Sequence, residues 1–270
     1  MNWEIASPQR FAAGGAMLEG QCHGPSPAQA RTIVLLHEGL GSMGLWRDFP
    51  HRLAAATGMG VFAYSRRGYG HSDTVALPRP LDYMVREAVE VLPDVFSAIG
   101  FRQGILLGHS DGASVAALYP AHVADHRVRG LVLMAPHFFT EPQGLAAIAA
   151  ARDAYESGEL RARLARHHGD VEAAFRGWSD AWLDPGFAAW NIEDALDYIR
   201  VPVLAIQGEA DPYGTAAQIE ALRTRLYCPL EAVMLAGGGH APHVSHPAET
   251  LAAVTDFLAR LWRMEDGAAA

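Results

Sequence analysis

The chain has 270 residues, of which 50% are hydrophobic and 19% are charged, so it can bury a full core and is neither disordered nor fibrous. Its 30 acidic residues exceed its 21 basic ones and give a net charge of −9, which argues against a surface that binds nucleic-acid phosphates or anionic lipid. A small molecule is therefore the expected partner. Every basic residue is arginine, which excludes chemistry that needs a lysine, such as a Schiff base or a P-loop.

Cysteine usage and the N-terminus indicate the compartment. Cys22 and Cys228 lie far apart in the sequence and outside any C-x-x-C motif, which argues against a disulfide framework, a thiolate zinc site or a redox pair. The first ten residues contain Glu4 and no apolar segment, and no run of about 18 apolar residues occurs, so secretion and membrane spanning lack support. We therefore expect a cytoplasmic protein with no membrane partner.

Short apolar strands alternate with helices through the first half of the chain. The predicted strands are 32–37, 60–64, 104–107 and 130–135, and the predicted helices between them are 46–56, 81–99 and 111–119. The strands are continuously apolar rather than alternating, which is typical of a parallel sheet buried on both faces. The predicted fold class is therefore α/β, with a mostly parallel, doubly wound sheet.

The pattern changes between residues 138 and 196, where strand signals are missing and Ala, Arg and Trp residues follow a helical period. We predict that 138–196 is a helical cap inserted into an α/β core formed by 1–137 and 197–270. Strands then resume at 203–207 and 230–235, with helices at 215–226 and 248–262.

The motif GHSDG at 108–112 joins a predicted strand to a predicted helix. It carries the G-x-S-x-G pattern, in which small residues two before and two after the serine let a sharp strand-to-helix turn bring neighbouring chain close. Such a turn strains the backbone of the serine, so only close packing holds it. We predict that Ser110 is a nucleophile rather than part of a purely structural turn.

A serine hydroxyl near neutral pH needs an imidazole base and a carboxylate that orients the imidazole. Asp211 follows the predicted strand 203–207, and His240 follows the last predicted strand in a glycine-rich loop. Both positions match the expected order after the serine. We predict that His240 is the base and Asp211 the acid, with Glu209 and Glu141 as alternative acids.

The histidine loop also has the spacing H-x-x-H-x-x-H, formed by His240, His243 and His246. Two prolines and the lack of a predicted helix argue against a regular face of metal ligands. We therefore predict no metal site, and we expect His243 and His246 to shape the loop.

The first clear strand ends in the glycine-rich turn HEGLGS at 37–42. Acyl transfer passes through a tetrahedral intermediate whose negative oxygen needs two fixed N–H donors. A turn rich in glycine can aim one such donor. We assign the oxyanion hole to the backbone N–H groups of Gly39 and Asp111.

In this order, LLHEGLGS, AYSRRGYGHSD, GHSDG, GEAD and GGGHAP resemble the α/β-hydrolase superfamily over nearly the whole chain. The resemblance implies the α/β-hydrolase fold and a serine hydrolase that acts on ester or thioester bonds without a cofactor. Ser110 stands where similar epoxide hydrolases and dehalogenases carry aspartate, so those activities are not expected. Glu38 replaces a usual glycine and Ser65 a usual aspartate, so no subfamily is assigned.

Aromatic residues cluster in the predicted cap and in the segment that leads into it. They are Phe138, Phe139, Phe175, Trp178, Trp182, Phe187 and Trp190. At helical spacing any one of them could belong to the cap's own core, but together they predict an apolar pocket. The residues expected to bind substrate are Leu40, His109, Phe138, Trp178 and Trp182.

The function predicted from the sequence is hydrolysis of a small or medium, apolar or aromatic carboxylic ester, thioester or lactone through an acyl-enzyme. A carbon–carbon bond hydrolase and a non-hydrolytic protein that keeps the triad (a lyase, an oxygenase or a ligand receptor) remain open alternatives. We expect the Glu38 side chain to bond neighbouring loops through Arg66 or Arg67. We expect the Asp111 carboxylate to accept N–H groups of the helix that it begins.

Overall fold

The structure, a computed structural model, describes residues 1–268. Eight strands form one sheet: β1 (Gln9–Ala13), β2 (Ala16–His23), β3 (Thr32–Leu36), β4 (Gly60–Ser65), β5 (Gly104–His109), β6 (Val128–Met134), β7 (Val203–Gly208) and β8 (Leu230–Leu235). Their spatial order is β1-β2-β4-β3-β5-β6-β7-β8. The pairs β1–β2 and β2–β4 are antiparallel, and every later pair is parallel.

Helices connect the parallel strands. They are α1 (Phe49–Thr57), α2 (Tyr83–Arg86), α3 (Leu92–Ile99), α4 (Asp111–His122), α5 (Pro142–Glu156), α6 (Glu159–Leu164), α7 (Val171–Trp182), α8 (Glu193–Leu196), α9 (Ala216–Arg225), α10 (Pro242–Ser245) and α11 (Pro247–Ala268). A π-helical segment, Glu87–Val91, joins α2 to α3. None of the helices within residues 1–268 combines the length and the apolar character needed to cross a lipid bilayer.

The sheet is buried on both faces, as the apolar strands predict. In β3, Ile33 belongs to a cluster that contains Phe49 of α1 and Phe257 of α11. The next residue, Val34, belongs to the cluster on the opposite face, which contains Phe96 of α3. Since successive side chains of a strand point to opposite faces, a strand covered on both sides must be apolar throughout. The α/β fold class is confirmed.

The N-terminal hairpin was not among the predicted elements. Its strands β1 and β2 are joined by Gly14 and Gly15, which have φ angles of 56° and 68°. Two residues with positive φ are what a tight hairpin turn requires, so the Gly-Gly pair between short apolar runs was the available signal. The hairpin adds the two antiparallel strands at one edge of the sheet.

The chain between β6 and β7 is helical and contains α5 to α8. Its two ends meet, since Phe139 and Asn191 form an isolated antiparallel bridge. The N–H of Ile192 donates to the Phe138 carbonyl at 2.7 Å. This pairing closes the inserted segment at its base and places the helices over the carboxyl ends of the strands.

Candidate active site

The turn from β5 into α4 holds Ser110 in a strained conformation, with φ of 54° and ψ of −119°. This backbone is rare for any residue except glycine and costs about 1–3 kcal/mol. The residues two positions before and two positions after Ser110 must be glycine. A Cβ on Gly108 would lie 2.1 Å from the Gly112 carbonyl oxygen, and one on Gly112 would lie 2.0 Å from the Leu36 carbonyl oxygen. The G-x-S-x-G pattern therefore reflects direct backbone contact.

Asp211 and His240 meet at the carboxyl ends of β7 and β8. The His240 Nδ1 lies 2.8 and 3.0 Å from the two Asp211 carboxylate oxygens. Asp211 also accepts from the Tyr213 N–H at 2.8 Å and from the Gln207 amide at 3.0 Å. Burial favours the neutral acid, but these donors, with His240 first, outweigh it and lower the pKa of Asp211.

The two alternative acids have other surroundings. The Glu141 carboxylate accepts from the Thr215 N–H at 2.9 Å, the Thr215 hydroxyl at 2.7 Å and the Gln218 amide at 2.8 Å. Glu209 is exposed to solvent. Asp211 is therefore the carboxylate that the structure pairs with His240.

Ser110 and His240 line one cavity beneath the inserted helices, with a volume of about 90 Å³. Its apolar wall is formed by Leu40, Leu145, Ile148, Trp178 and Trp182. The other lining residues are Glu38, Gly39, Asp111, His137, Glu141, Gly144 and Tyr213. An apolar wall with a few polar groups is typical of a small-molecule site.

The two residues predicted to supply oxyanion donors both line this cavity. The Gly39 N–H has no backbone or side-chain acceptor in the described chain. Asp111 begins α4, so its N–H has no partner within the helix. The indole of Trp178 packs on Gly39, where an added Cβ would lie 2.2 Å from the ring. Gly39 therefore allows α7 to approach the loop.

Buried groups brace the loop that carries Gly39. The Arg66 guanidinium donates to the His37 carbonyl at 3.1 Å and to the Glu38 carbonyl at 2.9 Å. The His37 ring accepts from the Arg66 N–H at 3.0 Å, so its Nδ1 donates to the Glu38 carbonyl at 2.7 Å. Burial, together with the nearby guanidinium, keeps the pKa of His37 well below its usual value.

The side chain of Glu38 lies elsewhere than predicted. Arg66 contacts the backbone of Glu38, whereas the Glu38 carboxylate lies 3.4 Å from Nδ1 of His109. The other ring nitrogen of His109 is 2.7 Å from the His240 carbonyl, which can only accept. Although burial opposes charge on both groups, their pairing raises the pKa of His109 and holds that of Glu38 well below its usual value. The His109 ring therefore links the Glu38 carboxylate to the His240 backbone.

The prediction that the Asp111 carboxylate accepts helix N–H groups was wrong. The carboxylate is fully buried and accepts from the Tyr83 hydroxyl at 2.5 Å and from the Trp182 Nε1–H at 3.2 Å. The same indole N–H lies 3.1 Å from the Tyr83 oxygen. This contact fixes a cap tryptophan against the residue that follows Ser110.

Leu40, Trp178 and Trp182 line the cavity, whereas two other predicted substrate contacts do not. Phe138 is completely buried in the core, and its N–H donates to the Gln218 side chain at 2.7 Å. His109 lies behind the cavity against Glu38. Sequence alone does not separate a buried aromatic residue from one that faces a cavity, because both are apolar at the same spacing.

His137 lines the cavity but was not among the predicted site residues. It follows the end of β6, just as Asp211 follows the end of β7. Position after a parallel strand was therefore the signal that could have found it, since loops at this edge of the sheet carry the ligand site. Its ring lies 5.7 Å from the His240 ring and 5.5 Å from the Trp182 ring, between centroids.

Within residues 1–268, His, Cys, Asp and Glu side chains form no group of three or more that could hold a metal ion. The loop histidines explain this locally. His240 faces Asp211, while His243 packs between aromatic rings, 4.9 Å from Trp46 and 5.6 Å from Phe49.

A model of the alpha/beta hydrolase family matches residues 33–254, which is most of the chain. This chain belongs to the alpha/beta hydrolase family. The match begins in β3 and continues into α11, so it covers every parallel strand and the loops that hold the site.

Epoxide hydrolase B of Mycobacterium tuberculosis (strain ATCC 25618 / H37Rv) is 31% identical to this chain over 104 residues. That match covers 38% of this chain and 28% of the relative, so it spans less than a third of the relative's length.

Two solved structures share the fold over nearly their full length. An esterase, RhEst1 from Rhodococcus sp. ECU1013, gives a TM-score of 0.74 at 20% identity and covers 95% of this chain and 100% of its own. The serine hydrolase CCSP0084 from the polyaromatic hydrocarbon-degrading bacterium Cycloclasticus zankles gives 0.76 at 16% identity and covers 93% and 97%. At these identities the likeness shows a common fold.

Proposed function

We propose that the protein is a serine hydrolase that cleaves a carboxylic ester, thioester or lactone through an acyl-enzyme, with no cofactor. The observation that carries this proposal is the cavity in which Ser110, on its strained turn, lies with a histidine whose Nδ1 is held by Asp211. These groups supply a nucleophile, a base and an orienting carboxylate from the chain itself.

The proposed reaction has two halves. The Ser110 Oγ attacks the carbonyl carbon while Nε2 of His240 takes its proton, since Nδ1 is engaged by Asp211. The imidazolium then protonates the leaving group, and the carbon–leaving group bond breaks to give an acyl-serine. Water, deprotonated by His240, then attacks the acyl carbon. The bond between that carbon and the Ser110 Oγ breaks, the imidazolium returns its proton to Oγ, and the acid leaves.

The negative oxygen formed in each half needs donors that are fixed beforehand. We assign this role to the N–H groups of Gly39 and Asp111, two residues that line the cavity together with Ser110. The bracing of the Gly39 loop by Arg66 and His37 supports the assignment, because donors held by the fold need no reorganisation during reaction.

We also propose that the cap comprises residues 138–196, the boundaries predicted from the sequence.

The substrate class follows from the cavity wall. Leu40, Leu145, Ile148, Trp178 and Trp182 offer apolar and aromatic surface, and the cap covers the cavity. This arrangement favours a small or medium acyl group over a polymer or a triglyceride, which need an open site.

A covalent serine probe tests the proposal. A fluorophosphonate should label the wild-type protein and fail to label Ser110→Ala, after which a panel of esters, thioesters and lactones of varied acyl length should identify the substrate class. Full turnover by Ser110→Ala would exclude Ser110 from the mechanism.

The panel should include 1,3-diketones, since their cleavage in place of ester hydrolysis would favour a carbon–carbon bond hydrolase. Labelling without turnover of any panel member would favour a non-hydrolytic protein that keeps the triad.

A further inference from the structure

His137 is a buried residue on the cavity wall that the proposed reaction does not use. It is 4% exposed and lines the cavity. Its carbonyl accepts from the Ser114 hydroxyl at 2.6 Å, but its ring nitrogens make no hydrogen bond with any of residues 1–268. A molecule bound in the cavity can therefore supply a partner for the imidazole.

Glu141 lies beside His137 on the same wall. A Cβ on Gly214 would lie 3.1 Å from His137 Cε1, and the following residue, Thr215, donates its N–H to Glu141. Both side chains therefore pack on one short stretch of the loop between β7 and α9.

The Glu141 carboxylate has unused capacity. It accepts three hydrogen bonds, two on Oε1 and one on Oε2, whereas a carboxylate can accept about four. All three donors belong to neutral groups of Thr215 and Gln218, and the described part of the chain, 1–268, places no arginine on the cavity wall. An acceptor on Oε2 is left for a ligand, with its negative charge unpaired.

Resting on the proposed function, we infer that His137 and Glu141 form a polar subsite for an uncharged hydroxyl group on the substrate. A hydroxyl can donate one hydrogen bond and accept another. Its hydrogen suits the free position on Glu141, and its oxygen suits the N–H of a neutral imidazole. No other common uncharged group of this size satisfies both partners with a single atom.

The imidazole is neutral at physiological pH. Burial, followed by the proximity of His240, lowers the pKa of His137, so the ring offers one donor and one acceptor.

The same wall rejects anions. Asp111 and Glu141 both border the cavity, and a carboxylate on the substrate would lie close to these carboxylates of like charge. The substrate class is therefore an apolar, preferably aromatic, acyl compound that carries a hydroxyl and no negative charge.

The test uses one ester scaffold with changes at one group. The parent is 4-nitrophenyl 3-phenylpropanoate, compared with its ortho-, meta- and para-hydroxy forms and with the methoxy and carboxy counterparts. We expect kcat/KM for at least one hydroxy isomer to exceed that of the parent by about 10- to 100-fold, the usual effect of a hydrogen bond to a charged group. The matching methoxy and carboxy esters should lose this gain, since neither can donate.

Two variants and one control test whether His137 and Glu141 cause the preference for hydroxylated esters. Glu141→Gln places an amide N–H where the free acceptor lies, and His137→Phe removes the ring donor, so each should reduce the hydroxyl preference to less than about 3-fold. Glu209→Gln removes the same charge from an exposed position nearby and should keep the preference.

Binding to Ser110→Ala, measured by quenching of the cavity tryptophans, gives the same comparison without turnover and leaves the subsite unchanged. Hydroxyl preference in this protein without any ester cleavage by wild type would support the subsite and refute the hydrolase. Cleavage with no hydroxy isomer preferred, with equal use of the carboxy ester, or with preference retained in both subsite variants would overturn the subsite and leave the hydrolase standing.

Discussion

The loop that carries His240 also contains a histidine that should make the fold sensitive to acid. His243 is 8% exposed and packs on Trp46, and its Nδ1 has no hydrogen-bond partner among residues 1–268. Burial, with a smaller contribution from the charge of His109, lowers the pKa of His243 to about 3. The unfolded chain takes up a proton at this position below about pH 6.5 and the folded chain does not.

The size of the effect follows from the two pKa values. Above the ordinary histidine pKa the free energy of unfolding is unaffected by His243, and below it the free energy of unfolding decreases as the pH falls toward 3. Between pH 7 and pH 5 the uptake of this proton by the unfolded chain alone costs about 2 kcal/mol, at 1.36 kcal/mol per unit. His243→Phe keeps an aromatic ring against Trp46 and removes the titrating group. The variant should therefore not show this decrease in the free energy of unfolding.

Urea denaturation at pH 7, 6 and 5, followed by circular dichroism, gives the free energy of unfolding of both proteins. The difference between variant and wild type should grow by about 2 kcal/mol in favour of His243→Phe over this range. His246→Phe, which removes an imidazole from the same loop, serves as the matched control. Parallel pH dependences for wild type and His243→Phe would refute the reasoning.

Three further substitutions test the site. Asp211→Asn should lower kcat by about 10⁴-fold, as in a protease triad, because an amide no longer favours the required imidazole tautomer; steady-state kinetics with an unchanged circular dichroism spectrum would show it, and a loss below tenfold would contradict it. Gly112→Ala should abolish activity or folding, since its Cβ would meet the Leu36 carbonyl oxygen; a soluble variant with normal fluorophosphonate labelling would contradict the assigned turn. Asp111→Asn replaces an oxygen that accepts from Tyr83 or Trp182 and should raise KM more than it lowers kcat; a selective loss of kcat would indicate a direct catalytic role for the carboxylate.

The parts of the molecule that follow from local rules were accessible from the sequence. Continuous apolar strands predicted the parallel sheet, and the G-x-S-x-G pattern marked the turn at Ser110. Asp211 was predicted because it lies in the loop after a strand, and the carboxyl ends of parallel strands meet at one edge; the structure pairs its carboxylate with His240.

The parts of the molecule that depend on long-range contacts could not be predicted from the sequence. Glu38 and His109 come together only because β3 and β5 are neighbours, and nothing in the local sequence selects His109 over Arg66 as the partner of that carboxylate. Phe138 fills the core while Trp182 faces the cavity, a difference set by tertiary packing rather than by spacing. The β1–β2 hairpin was overlooked because its turn signal is only two glycines.

Helix α7 gives the cap a mechanical connection to the proposed chemistry. Trp178 and Trp182 lie one helical turn apart, so they share a face. The first packs on Gly39 and the second bonds to Asp111. A single helix therefore contacts both residues assigned to the oxyanion hole. Any shift of α7 that widens the cavity for a larger substrate also moves both supports, so size selectivity and turnover rate are coupled and cannot be tuned separately through this helix.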